Sequence, residues 1–212
     1  MASRDQDQKQ KQDEGEDSAR RRILEAAFAA FMEKGYAATS TLEIATRARV
    51  SKRELYALVG NKQEMLALSI RERARRLQAP ADLPVPHDRE TLAQILTSFG
   101  TQLVREISDP TVIAVFRLAI AEAVHAPAVA HTLDTIGREA SRAALRTIMA
   151  QAQGAGLLDG QPASLADQFS RLLYGDLIIN LLLGVASTPT PRAITTRARE
   201  AVAAFLQLHP AS

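Results

Sequence analysis

Lys52, Arg53 and Tyr56, two cations and a phenol, stand close together in the stretch from residue 39 to residue 62, Thr-Ser-Thr-Leu-Glu-Ile-Ala-Thr-Arg-Ala-Arg-Val-Ser-Lys-Arg-Glu-Leu-Tyr-Ala-Leu-Val-Gly-Asn-Lys. Ammonium, guanidinium and phenol groups bond to phosphate oxygens and, where they reach a groove, to base edges. To do so they must be carried outward on a rigid element. The stretch reads as two short helices joined by a tight turn. Ser40, just before Thr41, is placed to cap the first helix, with Glu43 three residues on to complete a capping box. Leu42, Ile44, Ala45 and Ala48 supply the buried side, and the chain breaks at Arg49-Val50. Val50 would fill the angle between the helices, Ser51 would cap the second, and Leu55 and Leu58 would hold it down. Lys52, Arg53 and Tyr56 are left pointing outward near the helix start, where a helix-turn-helix meets the DNA major groove. Tyr56, and Lys62 at the next helix N-terminus, are expected on phosphates; Lys52 and Arg53 are expected to include the base readers.

Charge is distributed as that reading requires. Net charge is +2 over 212 residues, but residues 1 to 17 carry three basic and six acidic side chains. Residues 18 to 78 carry thirteen basic against six acidic, a net +7, and residues 79 to 212 ten against twelve. The positive charge therefore sits on the segment with the two short helices, as phosphate binding needs. Low aromatic content and abundant alanine and leucine favour an all-α fold. With no cysteine, a disulfide framework, a thiolate nucleophile and a cysteine-type zinc site are excluded. No apolar h-region follows the polar N-terminus. The longest apolar run, Leu177 to Val185, is interrupted by Asn180 and falls short of the roughly twenty residues that span a bilayer. A cytoplasmic protein with no membrane partner is expected.

Punctuation along the chain divides it into helices. Residues 1 to 17 read as a solvated, disordered tail. Asp17 or Ser18 would cap a helix that buries Leu24, Ala27, Phe28 and Phe31 and stops at Gly35. Asn61, with Glu64 three residues on, would start a helix running to about Leu77, and Pro80, Pro84 and Pro86 would make a stiff joint. Asp88 would begin a helix burying Leu92, Ile95, Leu96, Phe99, Leu103 and Ile107. After Asp109-Pro110, Thr111 to Val124 is apolar nearly all round except for Arg117 and Glu122. Pro127 would start a long helix with a stripe at Val129, Leu133, Ile136, Ala140, Ala144, Ile148 and Met149, ending around Gly154 and Gly156. Ser164 to Val185 reads as one helix with two apolar sides, Leu165, Phe169 and Leu172 on one, Leu173, Leu177, Leu181 and Gly184 on the other. A helix apolar on two faces must bury both. Pro191 to Leu208 offers Ile194, Ala198, Val202 and Phe205 at matching spacing, so a homodimer built on helices 164–185 and 191–208 is permitted. Asp176 and Asn180, four apart, suit a dimer seam better than a pocket anchor.

Residues 20 to 66 resemble the N-terminal domain of the tetracycline-repressor (TetR/AcrR) family. The shared points are Ile23-Leu-x-Ala-Ala, Gly35-Tyr36 before Ala-Thr-Ser, Ile44-Ala45, Val50-Ser-Lys, Leu55-Tyr56, and Lys62-x-x-Met65 after the second helix. The segment from Phe116-Arg-Leu-Ala-Ile-Ala-Glu-Ala-Val to Leu181-Leu-Leu-Gly is also similar to the C-terminal domain of one TetR-type subgroup. The resemblance implies a three-helix DNA-binding domain with a helix-turn-helix over 18–66 and a helical bundle over 67–212 for ligand binding and dimerisation. It implies a two-fold dimer on a palindromic double-stranded DNA operator, and a repressor released by a small-molecule effector. Ser40, Thr41, Arg49, Ser51, Lys52, Arg53, Tyr56 and Lys62 are then the expected DNA-facing residues. Phe99, Leu103, Phe116, Arg117, Ile120 and Tyr174 are the expected ligand-pocket lining, with Arg117 either attracting an acid or phenol or pairing with Asp134 or Glu139. No cofactor is expected.

Three departures from the family pattern stand out. Arg49 replaces the usual glycine of the turn and, if held at positive φ, is strained by roughly a kcal/mol. Lys52-Arg53-Glu54 replaces small or neutral residues. Val59 replaces an aromatic residue and should loosen its helix contact. Other function classes are an enzyme or carrier on a helical bundle and an interaction protein that has lost operator binding. The enzyme lacks a nucleophile, a metal set and a phosphate loop: His125 and His131 do not share a helical face, His87 and His209 lie near helix ends, and Gly154-Ala-Gly156 follows no strand.

Overall fold

The computed structural model describes residues 2–75 and 84–210. Helices make up the ordered elements: α1 (Ala2–Lys34), α2 (Thr41–Ala48), α3 (Lys52–Leu58), α4 (Lys62–Ala74), α5 (Arg89–Ile107), α6 (Pro110–Glu122), α7 (Pro127–Thr132), a π-helical segment (Leu133–Arg138), α8 (Glu139–Gly154), α9 (Pro162–Tyr174), α10 (Leu177–Leu183) and α11 (Pro191–Leu208). The chain divides into two compact units. The N-terminal unit comprises Met1–Glu72 and Leu118–Asp134; the C-terminal unit comprises Arg73–Arg117 and Thr135–Ser212. Leu118–Asp134 thus groups with the helix-turn-helix segment. Pro80 and Leu77 lie outside the described residues, as does the expected end of α4.

Three of the N-terminal unit's helices, α1, α2 and α3, pack on one another. Ile23, Ala27, Ala30 and Phe31 of α1, Ile44, Ala45 and Ala48 of α2, and Leu55 and Val59 are buried. Leu42, expected inside, is 63% exposed; α2 has only eight residues, and its buried face is filled by Ile44, Ala45 and Ala48. Helix α1 does not begin at Asp17 or Ser18 but runs from Ala2. Gln, Lys and Glu are good helix formers, and Ser18 Oγ accepts from Arg22 Nη1 instead of capping. Gly35, at φ 87°, ends the helix.

In the C-terminal unit, α5 packs on α11, α8 on α9, and α9 on α11. One apolar cluster contains Leu92, Leu96, Phe99 and Leu103 of α5, Leu145, Ile148 and Met149 of α8, Phe169 and Leu173 of α9, and Ala198, Val202 and Phe205 of α11. Phe169 meets Phe205 edge-on at 5.6 Å between ring centroids. Gly100 lets the helices close up, since a Cβ there would lie 3.3 Å from Leu173 Cδ1 and 3.4 Å from Phe169 Cζ. Asp88 and Thr91 form a complete capping box at the start of α5.

The expected helix from 164 to 185 is broken. Gly175 takes φ 44°, ψ −128° and separates α9 from α10, a conformation that side chains disfavour. Asp176 consequently lies at the α10 N-terminus, outside any helix face. Leu165, Phe169, Leu173, Leu177 and Leu181 enter the same core as Ile194, Ala198, Val202 and Phe205 of α11. The spacing that suggested a dimer seam on α11 is therefore spent within the unit. Ile179, Leu183 and Val185 remain exposed. Helix α6 is also less enclosed than its composition suggests: Ile120 is 62% exposed while the carboxylate-bearing Glu122 is buried. No helix among the described residues is long and apolar enough to cross a membrane.

Candidate nucleic-acid interface

Helices α2 and α3 are short, and their ends are closed by local bonds. Ser40 Oγ accepts from the Glu43 N–H at 3.1 Å, and Ser51 Oγ accepts from the Glu54 N–H at 3.0 Å. Only the serine half of the expected box at Ser40 uses Glu43 as written. The Glu43 carboxylate instead pairs with Lys34 and Arg47, and Arg47 also reaches Glu33 at 2.7 Å. The hydrogen bond from Lys34 holds the Glu43 carboxyl below the usual carboxylate range, with Arg47 adding to it; the bond from Arg47 does the same for Glu33.

Between the two helices Arg49 takes φ 56°, ψ 46°, alone among the described non-glycine residues in having positive φ. Its N–H bonds to Thr46 O at 3.2 Å, and the Val50 N–H bonds to Ala45 O at 3.0 Å. That pair of bonds is a Schellman motif, which satisfies the last carbonyls of α2 and turns the chain. Arginine is strained in this conformation by roughly 1 kcal/mol, yet its side chain is exposed beside the start of α3. Val59, in place of the aromatic residue, is buried all the same.

On α3, Lys52, Arg53 and Tyr56 are exposed while Leu55 is wholly buried and Leu58 half-buried. The Tyr56 hydroxyl and Thr41 Oγ1 lie 3.2 Å apart, and Lys52 Nζ sits 5.9 Å from the Tyr56 ring centroid. Thr41 and Tyr56 therefore join the two helices on the outward side. Ser40, Thr41, Arg49, Ser51, Lys52, Arg53 and Tyr56 are brought onto this short helical pair, as cations, hydroxyls and a phenol that can bond to phosphates and base edges.

Lys62 is placed differently from the expectation. Asn61 and Glu64 close the start of α4 as a full box: Asn61 Oδ1 accepts from the Gln63 and Glu64 N–H groups, and Glu64 Oε2 accepts from the Asn61 N–H. The half-buried Lys62 ammonium turns inward, donating to Tyr36 O at 2.8 Å, Thr39 O at 3.1 Å and Ala37 O at 3.4 Å, above the Tyr36 ring at 4.5 Å. Carbonyls of the turn after α1 are a nearby, preformed set of acceptors, so the cation is drawn to them and away from the outer face. Thr39 Oγ1 donates to Gly35 O in the same turn and reaches Ala30 O in the last turns of α1, and Glu122 Oε1 accepts from the Ala37 N–H at 3.0 Å. Burial, and then the charge of Glu122, raise the Tyr36 phenol above its ordinary pKa. Glu122, Thr39 and Arg22, which donates to Ala48 O, were missed by the sequence reading. Of the three, Glu122 had a signal, as the one carboxylate on an apolar helix.

Of the expected ligand-pocket residues, Phe99, Leu103 and Tyr174 belong to or pack on the C-terminal apolar cluster. Phe99 and Leu103 are core residues, Phe116 and Tyr174 are half-buried, and Ile120 is exposed. Burial raises the Tyr174 phenol pKa. The Arg117 guanidinium donates to Leu181 O at 2.9 Å and Leu182 O at 3.0 Å. Those carbonyls lie in the last turn of α10, the negative end of the helix, which favours a guanidinium. Open grooves of about 920 Å³ and 420 Å³ run instead beside α11, the first lined by Gln94, Thr101, Arg105 and Arg199, the second by Pro189, Arg192 and Arg197.

Residues 23–68 match the family profile described as bacterial regulatory proteins, tetR family, and residues 94–209 match the C-terminal domain of AefR-like transcriptional repressors. Among solved structures, the flavonoid-responsive regulator FrrA is 30% identical at a TM-score of 0.76, with 90% of this chain and 96% of that one covered. A TetR transcriptional regulator from Agrobacterium tumefaciens is 26% identical at a TM-score of 0.74, with 90% and 94% covered. Curated protein sequences gave no match. With both profiles matched in chain order and the helix-turn-helix formed as described, the chain belongs to the TetR family of DNA-binding transcriptional regulators.

Proposed function

We propose that this regulator is a repressor that binds a palindromic operator as a homodimer and is released by a small aromatic effector. The observation that carries the DNA reading is the outward face of α3, where Lys52, Arg53 and Tyr56 are exposed on a helix fixed at both ends. Arg53 and Lys52 read base edges in the major groove. Tyr56, Ser40, Thr41, Ser51 and Arg49 position the helix on phosphates, and Lys62 supports them from behind. Two-fold pairing of the chain would place two such helices one helical turn or a multiple apart.

For the dimer, the surface that remains apolar on α10 and just after it supports pairing there: Ile179, Leu183 and Val185. Replacing Leu183 by arginine should shift the protein to monomer in sedimentation and weaken operator binding together; a dimer that survives the change rules this surface out. For the effector, the 30% identical relative is named flavonoid-responsive, and a phenolic aromatic compound suits a site among Phe99, Leu103, Phe116 and Tyr174. Such a ligand shifts the population only if it binds the non-DNA state better.

Titration of labelled duplex from the region flanking the gene, at several salt concentrations, tests the DNA reading. Specific duplex should bind far more tightly than random duplex, with affinity falling steeply as salt rises. Equal affinity for both, or none, would leave an interaction protein that keeps the fold without operator binding.

A further inference from the structure

The turn from Gly35 to Thr39 is gripped from two sides by opposite charges. Lys62 Nζ takes the carbonyls of Tyr36, Ala37 and Thr39, and Glu122 Oε1 takes the N–H of Ala37. Glu122 is buried and comes from α6, 85 residues further along the chain than its partner. It lies beyond the 23–68 stretch that carries the DNA-binding match, yet within the compact N-terminal unit. Gly35 makes room for it: a Cβ at that position would lie 3.1 Å from Glu122 Oε1. A carboxylate accepting from a backbone amide forms a charge-assisted bond, stronger than a neutral pair.

What this bond fixes is the entry to α2. The turn ends at Thr39, next to Ser40, the α2 cap. Helix α2 carries Arg49 at its far end, and Thr41 touches Tyr56 of α3. A turn free to rock would move the cap, then the Thr41–Tyr56 pair, then the outward face of α3. We propose that Glu122 is a positioning residue for DNA recognition, pinning the 35–39 turn from a helix outside the DNA-binding segment. The proposal rests on the reading of this unit as the one that binds DNA.

The test uses the full chain with Glu122→Ala and Glu122→Gln, read by Ala37 amide exchange in NMR and by binding to duplex flanking the gene. In Glu122→Ala, Ala37 should exchange at least about tenfold faster and affinity should fall about tenfold. Glu122→Gln, whose amide oxygen still accepts, should keep both within about threefold of wild type. Wild-type exchange and affinity in Glu122→Ala would overturn the proposal, and so would a Gln variant as defective as the Ala variant. Should Glu122→Ala fail to fold by circular dichroism, Glu122→Gln decides: retained protection and affinity uphold the pin, and lost protection overturns it. Failure of the DNA reading itself is recognised separately, because wild type would then bind no duplex, and the positioning role would fall with it.

Discussion

The C-terminal unit and the helix-turn-helix hold their helices by different means. In the first, α5, α8, α9 and α11 meet through leucines, phenylalanines and small residues, and Gly100 lets three of them approach closely. In the second, the helices that face outward have eight and seven residues, too few to persist on propensity alone. Their ends are tied instead by Ser40, Ser51 and the Arg49 turn, and the turn before α2 by the Lys62 and Glu122 contacts. Apolar packing is non-directional, and its strength follows the area it removes from water. Hydrogen bonds are directional, so they fix the angle of a short helix at its ends. A unit held by buried apolar area is thus joined in one chain to short helices held by directional bonds.

Breaking the apolar side should cost most. Phe169→Ala should destabilise the C-terminal unit by about 3–5 kcal/mol in denaturant unfolding; a loss below about 1 kcal/mol would mean the core closes around the hole and the contrast is overstated. On the other side, Arg53→Ala should leave stability alone and relax preference at one base pair of each half-site by about 1–3 kcal/mol. Uniformly weaker binding with the preferred sequence intact would remove Arg53 from the readers. Arg49→Gly should raise thermal stability by about 1 kcal/mol as backbone strain is relieved, while reducing the salt dependence of DNA binding by about one unit per subunit. A stabilised variant with unchanged salt dependence would show that the side chain makes no phosphate contact.

The smallest effect is expected from pH. Glu43 and Glu33 have folded pKa values held down by Lys34 and Arg47. Their contribution is present above the ordinary carboxylate range and is lost as pH falls through the lowered folded values. Both groups are solvated, so the change should be slight and should shrink in salt. Comparing acid unfolding of wild type and Arg47→Ala would isolate it; identical curves would remove these pairs from the set of contacts that hold α2.

Features written in neighbouring residues were legible in the sequence. The caps at Ser40, Ser51, Asn61 and Asp88 each need only a partner two or three positions away, and each formed. The left-handed turn at Arg49 followed from the family resemblance, since arginine itself gives no such signal. Where the partner is distant, sequence pattern failed. Lys62 reads as a cation at a helix start, and nothing local reveals the three carbonyls that claim it. Arg117 reads as a pocket charge or as the partner of a carboxylate, and nothing local reveals the α10 carbonyls it bonds, more than sixty residues on. Gly175 was absorbed into an apolar periodicity that continues on both sides of the break. Leu42 and Ile120 were assigned inside on hydrophobicity, although large apolar side chains are common on protein surfaces.

The π-helical stretch from Leu133 to Arg138 bears on how this chain lines up with its relatives. A π-turn spends one residue more than an α-turn for the same closure. Counted as α-helix, the stretch Leu133–Arg138 therefore runs one position out of phase. A homologue one residue shorter in this stretch is expected to bury the same sides before and after it. The natural place for an alignment gap is inside the helix at 133–138, and length variation there should be tolerated where it would be disruptive one turn away on either side.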